Sequence, residues 1–245
     1  MQINTDNFIL FVGYPRSGHT IVANILNSHP NILISDEVGI MKFSKLTKEK
    51  IRNSIIKKSN EVDIKYTSVY GNVNYTEDNI EKNKITIFGD KHANKNTMFI
   101  NSKFDKIYKL NDIFNLNLIH VIRNPYDMIT TNFIRRGRKW DNNIYKIINH
   151  FNTLFKTVEN IKEKYDMFDI YLEDLIKYPY NNITELFHYV GIQRLDNEFL
   201  SYVSSKLLDN ANKSRILYDW QDDQKQLVQN MISKYKFLKG YKWEK

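Results

Sequence analysis

Cysteine is absent from all 245 residues, which excludes disulfides, thiol nucleophiles and cysteine-based metal sites. The six histidines show no H-x-x-x-H pair or other metal-ligand spacing, so no metal is expected. Proline and glycine are scarce, at 4 and 8 residues, and no stretch rich in Pro, Gly or Ser reads as a linker. Internal repeats and heptads are also missing. No apolar run approaches the length of a membrane span. The first strand begins by Phe8, which leaves no room for a signal peptide, and a cytoplasmic enzyme is the expectation.

Among the residues present, 36 Lys and Arg stand against 28 Asp and Glu, a net charge of +8. That excess suits a polyanionic ligand. The basic residues are spread along the chain with no nucleic-acid-binding motif, so no nucleic-acid partner is expected. With 42% hydrophobic residues and alternating strand and helix patterns, one α/β domain over residues 1–245 is expected.

Phe8 to Gly13 is a continuous apolar run, as in a strand buried on both faces of a parallel sheet. Tyr14-Pro15-Arg16-Ser17-Gly18-His19-Thr20 follows, and from His19 or Thr20 onward Ile21, Val22, Ile25 and Leu26 recur at helical spacing until His29 and Pro30. A glycine loop opening a helix is an anion cradle, because free N–H groups and the positive helix end face the ligand. Arg16, Ser17 and Thr20 add side-chain donors. A kinase or NTPase loop would read G-x-x-x-x-G-K-[ST]. Here His19 holds the lysine position, which argues against phosphoryl transfer.

A second apolar run, Leu116 to Ile122, leads into Arg123-Asn124-Pro125. Pro125 suits a first helical position. Arg123 at the strand end and Thr131 two turns later can then point at one anion.

Tyr14 to Thr20 resembles the 5'-phosphosulfate loop of sulfotransferases that use 3'-phosphoadenosine 5'-phosphosulfate (PAPS). Arginine in the loop is similar to the bacterial, Golgi and tyrosylprotein enzymes, and His19 stands where threonine is usual. Arg123 followed eight residues later by Thr131 resembles the family's 3'-phosphate element, with threonine for serine. The resemblance implies a P-loop-like three-layer α/β/α fold with a central parallel sheet. It also implies PAPS as cosubstrate, the bisphosphate PAP as product, and no metal.

The same resemblance assigns roles between the two motifs. Glu37, after His29-Pro30 and Ser35-Asp36, matches the family's general base, with Asp36 as a solvated neighbour. Lys84 to His92 reads as a strand delivering Lys91 and His92 to the sheet edge. Lys91 is the implied electrostatic catalyst beside Arg16, and His92 is the rival base. Asp169 to Leu175 resembles the family's late strand and acidic turn into a helix. Lys213 and Arg215, before Trp220, sit where relatives return a basic loop over the nucleotide. Lys236 to Trp243 reads as a tail packing aromatics on the body.

Two regions are expected to shape the acceptor site. One is Val38 to Lys84, with a basic amphipathic stretch from Lys48 to Lys58 and then Tyr66, Tyr70 and Tyr75. The other is Asn132 to Trp140, where Arg135, Arg136, Arg138 and Lys139 hold an acidic or glycan acceptor, hold the adenine end of the cofactor, or form a solvated helix end. The expected activity is sulfuryl transfer from PAPS to a hydroxyl of a carbohydrate, small molecule or natural product. The alternatives are a P-loop-like kinase and a catalytically silent PAPS- or PAP-binding protein.

Overall fold

The computed structural model describes residues 6–61 and 85–244. Five parallel strands form one sheet among them: β1 (Asn7–Gly13), β2 (Ile32–Asp36), β3 (Ile87–Lys91), β4 (Asn115–Ile122) and β5 (Met167–Tyr171), in the order β2-β3-β1-β4-β5. Alternate side chains of β1 serve opposite faces, as strand pleating requires. Ile9 and Phe11 join Val22, Ala23 and Leu26 of helix α1 (His19–Asn27), while Phe8, Leu10 and Val12 join Leu33, Ile100 and Leu110. All five β1 side chains are buried, each contributing about 1.5–3 kcal/mol. That double burial explains why the run carries no polar residue.

Helices α2 (Lys48–Glu61), α3 (Ala93–Ser102) and α4 (Asp105–Asn111) cover the Phe8 face. Helices α7 (Leu172–Lys177), α8 (Pro179–Tyr189) and α9 (Asn197–Ser204) join α1 on the other. The architecture is three-layer α/β/α. A third, aromatic cluster of Tyr14, Tyr126, Phe151, Phe155, Trp220 and Phe237 is closed by α5 (Pro125–Arg136), α6 (Ile144–Lys162), α10 (Asp222–Lys234) and the C-terminal tail. The Lys48–Lys58 stretch is the body of α2. Tyr66, Tyr70 and Tyr75 lie outside the described residues.

Winding reverses at β1, with β2 and β3 on one side and β4 and β5 on the other. Such a switch point opens a crevice at the carboxyl ends of the strands, where α/β sheets bind ligands. Three features aim groups at it. The loop after β1 enters α1 through Gly18 with no side-chain cap, so the first helical N–H groups stay available. Strand β3 ends on Lys91 and His92 becomes the N-cap of α3, so the strand stops one residue before the expected His92; Lys84, its expected start, lies outside the described residues. Pro125 takes the first position of α5, and the Asn124 side chain accepts from the Tyr126 N–H at 3.0 Å.

Candidate functional site

The loop after β1 is anchored from beneath. The Gly13 N–H donates to Thr97 Oγ1 at 2.7 Å, and the Ser17 hydroxyl donates to the Tyr14 carbonyl at 3.1 Å. The Tyr14 ring is fully buried, its hydroxyl 2.7 Å from His120 Nε2, while His120 Nδ1 lies 2.9 Å from Asp169 Oδ1, where Lys162 also binds. Burial holds the His120 imidazolium down and the Tyr14 phenol well up. The neutral ring therefore donates from Nδ1 to Asp169 and accepts the Tyr14 proton at Nε2. The Tyr14 side chain therefore faces the core, while its backbone lies in the loop.

Arg16 and Gly18 take positive φ, 68° and 101°, and a Cβ on Gly18 would come 2.9 Å from Leu172 Cδ1. The turn thus needs glycine there. Arg16 Nε is buried without a partner. The Arg16 guanidinium is held below its ordinary value, first by burial and then by the charges of Arg135 and Arg136, with Glu37 opposing. The end of α5 and the β2 edge therefore both bear on this arginine. His19, with Nδ1 3.4 Å from Ser17 Oγ, is pushed down to about 3 by burial first, then by Lys91, Arg16 and His92. It is a neutral ring where a P-loop would carry a cation. Half-buried Pro15 completes the loop.

On the β2–β3 side, Lys91 Nζ donates to Thr20 Oγ1 at 3.2 Å and pairs with Asp36. Asp36, the expected solvated neighbour of the base, is also the counter-ion of Lys91. Glu37 adopts φ 59° and presents Oε2 3.5 Å from His92 Nε2. Buried Asp90 accepts the next three backbone N–H groups, Val38, Gly39 and Ile40, each at 3.0 Å. Burial still pushes its carboxyl up to about 6.

On the β4 side, the buried Arg123 guanidinium donates to the carbonyls of Arg16 (3.2 Å) and Asn212, and lies 3.4 Å from Ser214 Oγ. Arg215 is buried against Asp127, with its N–H 2.7 Å and its guanidinium 3.1 Å from the carboxylate. Arg215, expected with Lys213 in a basic loop over the nucleotide, fastens the 212–217 turn to α5. Lys213 beside it is exposed. The Thr131 hydroxyl donates to the Asp127 carbonyl at 2.7 Å, one turn back in its own helix, so it does not share a partner with Arg123. Trp140 lies against the His150 ring, 4.9 Å between centroids, while Arg138 and Lys139 are exposed.

Sequence reasoning left three groups unassigned: Asp90 as an anchor, the His120–Asp169 pair and Asp127. Only His120 carried a signal, a polar residue inside an apolar central strand that must have a buried partner. The cradle fits an anion with two charged ends. The N-terminus of α1 is uncapped, and the Nε atoms of Arg16, in the loop, and of Arg123, at the end of β4, are buried without partners.

No curated protein matches the chain by sequence at a significant level. Solved structures do match in fold. The sulfotransferase domain from the curacin biosynthetic pathway has a TM-score of 0.55 at 15% identity, covering 96% of this chain and 99% of that one. Sulfotransferase STF9 from Mycobacterium avium has a TM-score of 0.55 at 12% identity, covering 95% and 77%. Mouse sulfotransferase SULT7A1, solved with PAP, has a TM-score of 0.50 at 14% identity, covering 94% and 84%. The sulfotransferase family model matches residues 8–197, a span that carries the β1 loop, Glu37, Lys91 and Arg123 in chain order. With that span matched and the crevice built from the same elements, the chain belongs to the sulfotransferase family.

Proposed function

We propose that this sulfotransferase uses PAPS and transfers its sulfuryl group to a hydroxyl of a small-molecule or glycan acceptor. One observation carries the proposal: the uncapped β1 loop lies between two cation-bearing strand ends, Lys91 on one side and Arg123 on the other. Arg16, Ser17, Gly18 and Thr20 would hold the 5'-phosphosulfate end. Arg123 would hold the 3'-phosphate, with Lys213 and Thr131 at its margin. PAPS when bound supplies the sulfuryl group, whose bond to the 5'-phosphate breaks as the bond to the acceptor oxygen forms.

Glu37 takes the proton of the acceptor hydroxyl onto a carboxylate oxygen. Its side chain is 53% exposed, so the base is open to an acceptor arriving from solvent. Lys91 and Arg16 supply positive charge where the leaving phosphate gains negative charge, the role in which preorganised donors contribute most. Lys91 is buried while its partner Asp36 keeps 37% of its side chain exposed, so Asp36 can turn to water as a phosphate takes its place on the lysine.

Calorimetry with 3',5'-bisphosphate against ATP and magnesium tests the nucleotide. Bisphosphate binding is expected, and tight magnesium-dependent ATP binding without a bisphosphate response overturns the proposal. Transfer of labelled sulfate from PAPS to sugars, phenols and alcohols tests the reaction, with Glu37→Ala and Lys91→Ala as controls. Unchanged turnover in both variants would remove the mechanism.

A further inference from the structure

Building on the reading of Glu37 as the base, we infer that His92 is a positioning residue whose Nε2–H holds one oxygen of Glu37 and leaves the other for the acceptor hydroxyl. Both partners are set by the backbone around them. Glu37 is a non-glycine residue at φ 59°, a conformation that costs about 1–3 kcal/mol unless its surroundings enforce it. Asp90 enforces it by gathering the three N–H groups that follow. His92 is the N-cap of α3, buried, with the Asn96 N–H on its carbonyl at 2.8 Å.

The two ring nitrogens then differ in kind. Nδ1 is buried and has no partner. Gly39 closes over it, so that a Cβ there would lie 3.3 Å from Nδ1. A proton on Nδ1 would be a buried donor without an acceptor, at about 1–3 kcal/mol. A proton on Nε2 faces the Glu37 carboxylate at 3.5 Å, a separation that a half-exposed side chain closes on binding. The charged groups bearing on the ring are Glu37 and Asp36, which favour the imidazolium, and Lys42 and Lys95, which oppose it. Burial outweighs each of them and keeps the ring neutral. A neutral ring with its proton on Nε2 and its lone pair sealed at Nδ1 has no free nitrogen to take a proton from an acceptor. His92 thus serves Glu37 instead of replacing it.

The test uses the full chain in two independent readouts. Nitrogen-15 NMR of the histidine rings, assigned with His92→Gln, is expected to show the Nε2–H tautomer for His92. Glu37→Gln should shift both its ring nitrogens and its titration, moving the latter lower because the carboxylate that favours the imidazolium is gone. In sulfuryl transfer from PAPS, His92→Gln keeps a donor and should stay within about 5-fold of the parent. His92→Leu should lose about 10- to 100-fold in kcat, with bisphosphate affinity and acceptor KM unchanged. An Nδ1–H tautomer, or a His92→Leu enzyme as active as the parent, overturns the inference while leaving Glu37 as base. A Glu37→Gln enzyme that still turns over, beside a dead His92→Gln, overturns the base reading itself. If the leucine variant does not fold, the NMR comparison of the parent and Glu37→Gln decides alone.

Discussion

The two flanks of the β1 loop bury their cations alike and differ in their carboxylates. On the β4 flank, Arg123, Asp127 and Arg215 are buried, and their hydrogen bonds tie the loop, α5 and the 212–217 turn together. The tail adds to the seal: the Tyr241 hydroxyl donates to Glu173 at 2.7 Å, Glu173 accepts the Asn124 N–H at 3.0 Å, and Asn124 donates to the Lys242 carbonyl at 3.3 Å. On the β2–β3 flank, Lys91 and His92 are buried as well, but their carboxylate partners Asp36 and Glu37 stay partly in water. Asp127 and Arg215, sealed against each other, hold a shape. A carboxylate left partly in water can give up its partner, and a reacting group must do so.

Substitutions sharpen that contrast. Asp127→Asn on the sealed flank strands the Arg215 charge and should cost about 3–5 kcal/mol of stability, read by chemical denaturation; a loss below about 1 kcal/mol would mean the flank is not sealed. Lys91→Met on the open flank should cost about 10²- to 10³-fold in kcat, and it should cost less stability than Asp127→Asn because the partner left behind, Asp36, is partly in water. A stability loss rivalling that of Asp127→Asn would erase the distinction.

Asp90 lies between the two cases, a sealed carboxylate supporting the open flank. Its folded value of about 6 stands above the unfolded 3.8, so the unfolded chain releases this proton first as pH rises. The contribution is present below about pH 4 and is lost as pH climbs through 6, on the order of 1–3 kcal/mol. Asp90→Asn should remove that part of the pH–stability slope and lower kcat by loosening Glu37; an unaltered slope would refute the assignment. Tyr14→Phe should cost about 1 kcal/mol and weaken bisphosphate binding in calorimetry, and unchanged binding would make the Tyr14–His120 contact purely structural. The smallest effect is expected from Arg135→Gln with Arg136→Gln. Bisphosphate affinity should fall less than about 10-fold at low salt, and the difference should vanish at 1 M salt, where exposed charges act over only about 3 Å.

Some of this was legible in the chain. The apolar runs at Phe8 and Leu116, with Pro125 starting a helix, match β1, β4 and α5 within a residue. A doubly buried strand can contain little else, and proline fits few other places. The loop was legible for a similar reason: the positive φ of its Gly18 narrows the residue choice. Side-chain partners were harder. Arg215 and Lys213 looked alike as a basic turn, yet one is buried on Asp127 and the other exposed. Thr131 kept the expected hydroxyl but donates it to its own helix. Glu37 and His92 read as rivals, and they face each other.

The sequence by itself determined β1, β4, the glycine entry to α1 and the sign of the charge around it, because apolar period, glycine and proline act over a few neighbouring residues. Only the tertiary structure decided which charges are spent and which are free. Asp90 reaches Val38, Gly39 and Ile40, and Arg123 reaches Arg16 and Asn212, across segments distant in the chain. An ionic partner is chosen by distance and burial, and both exist only once the sheet has brought its strand ends together.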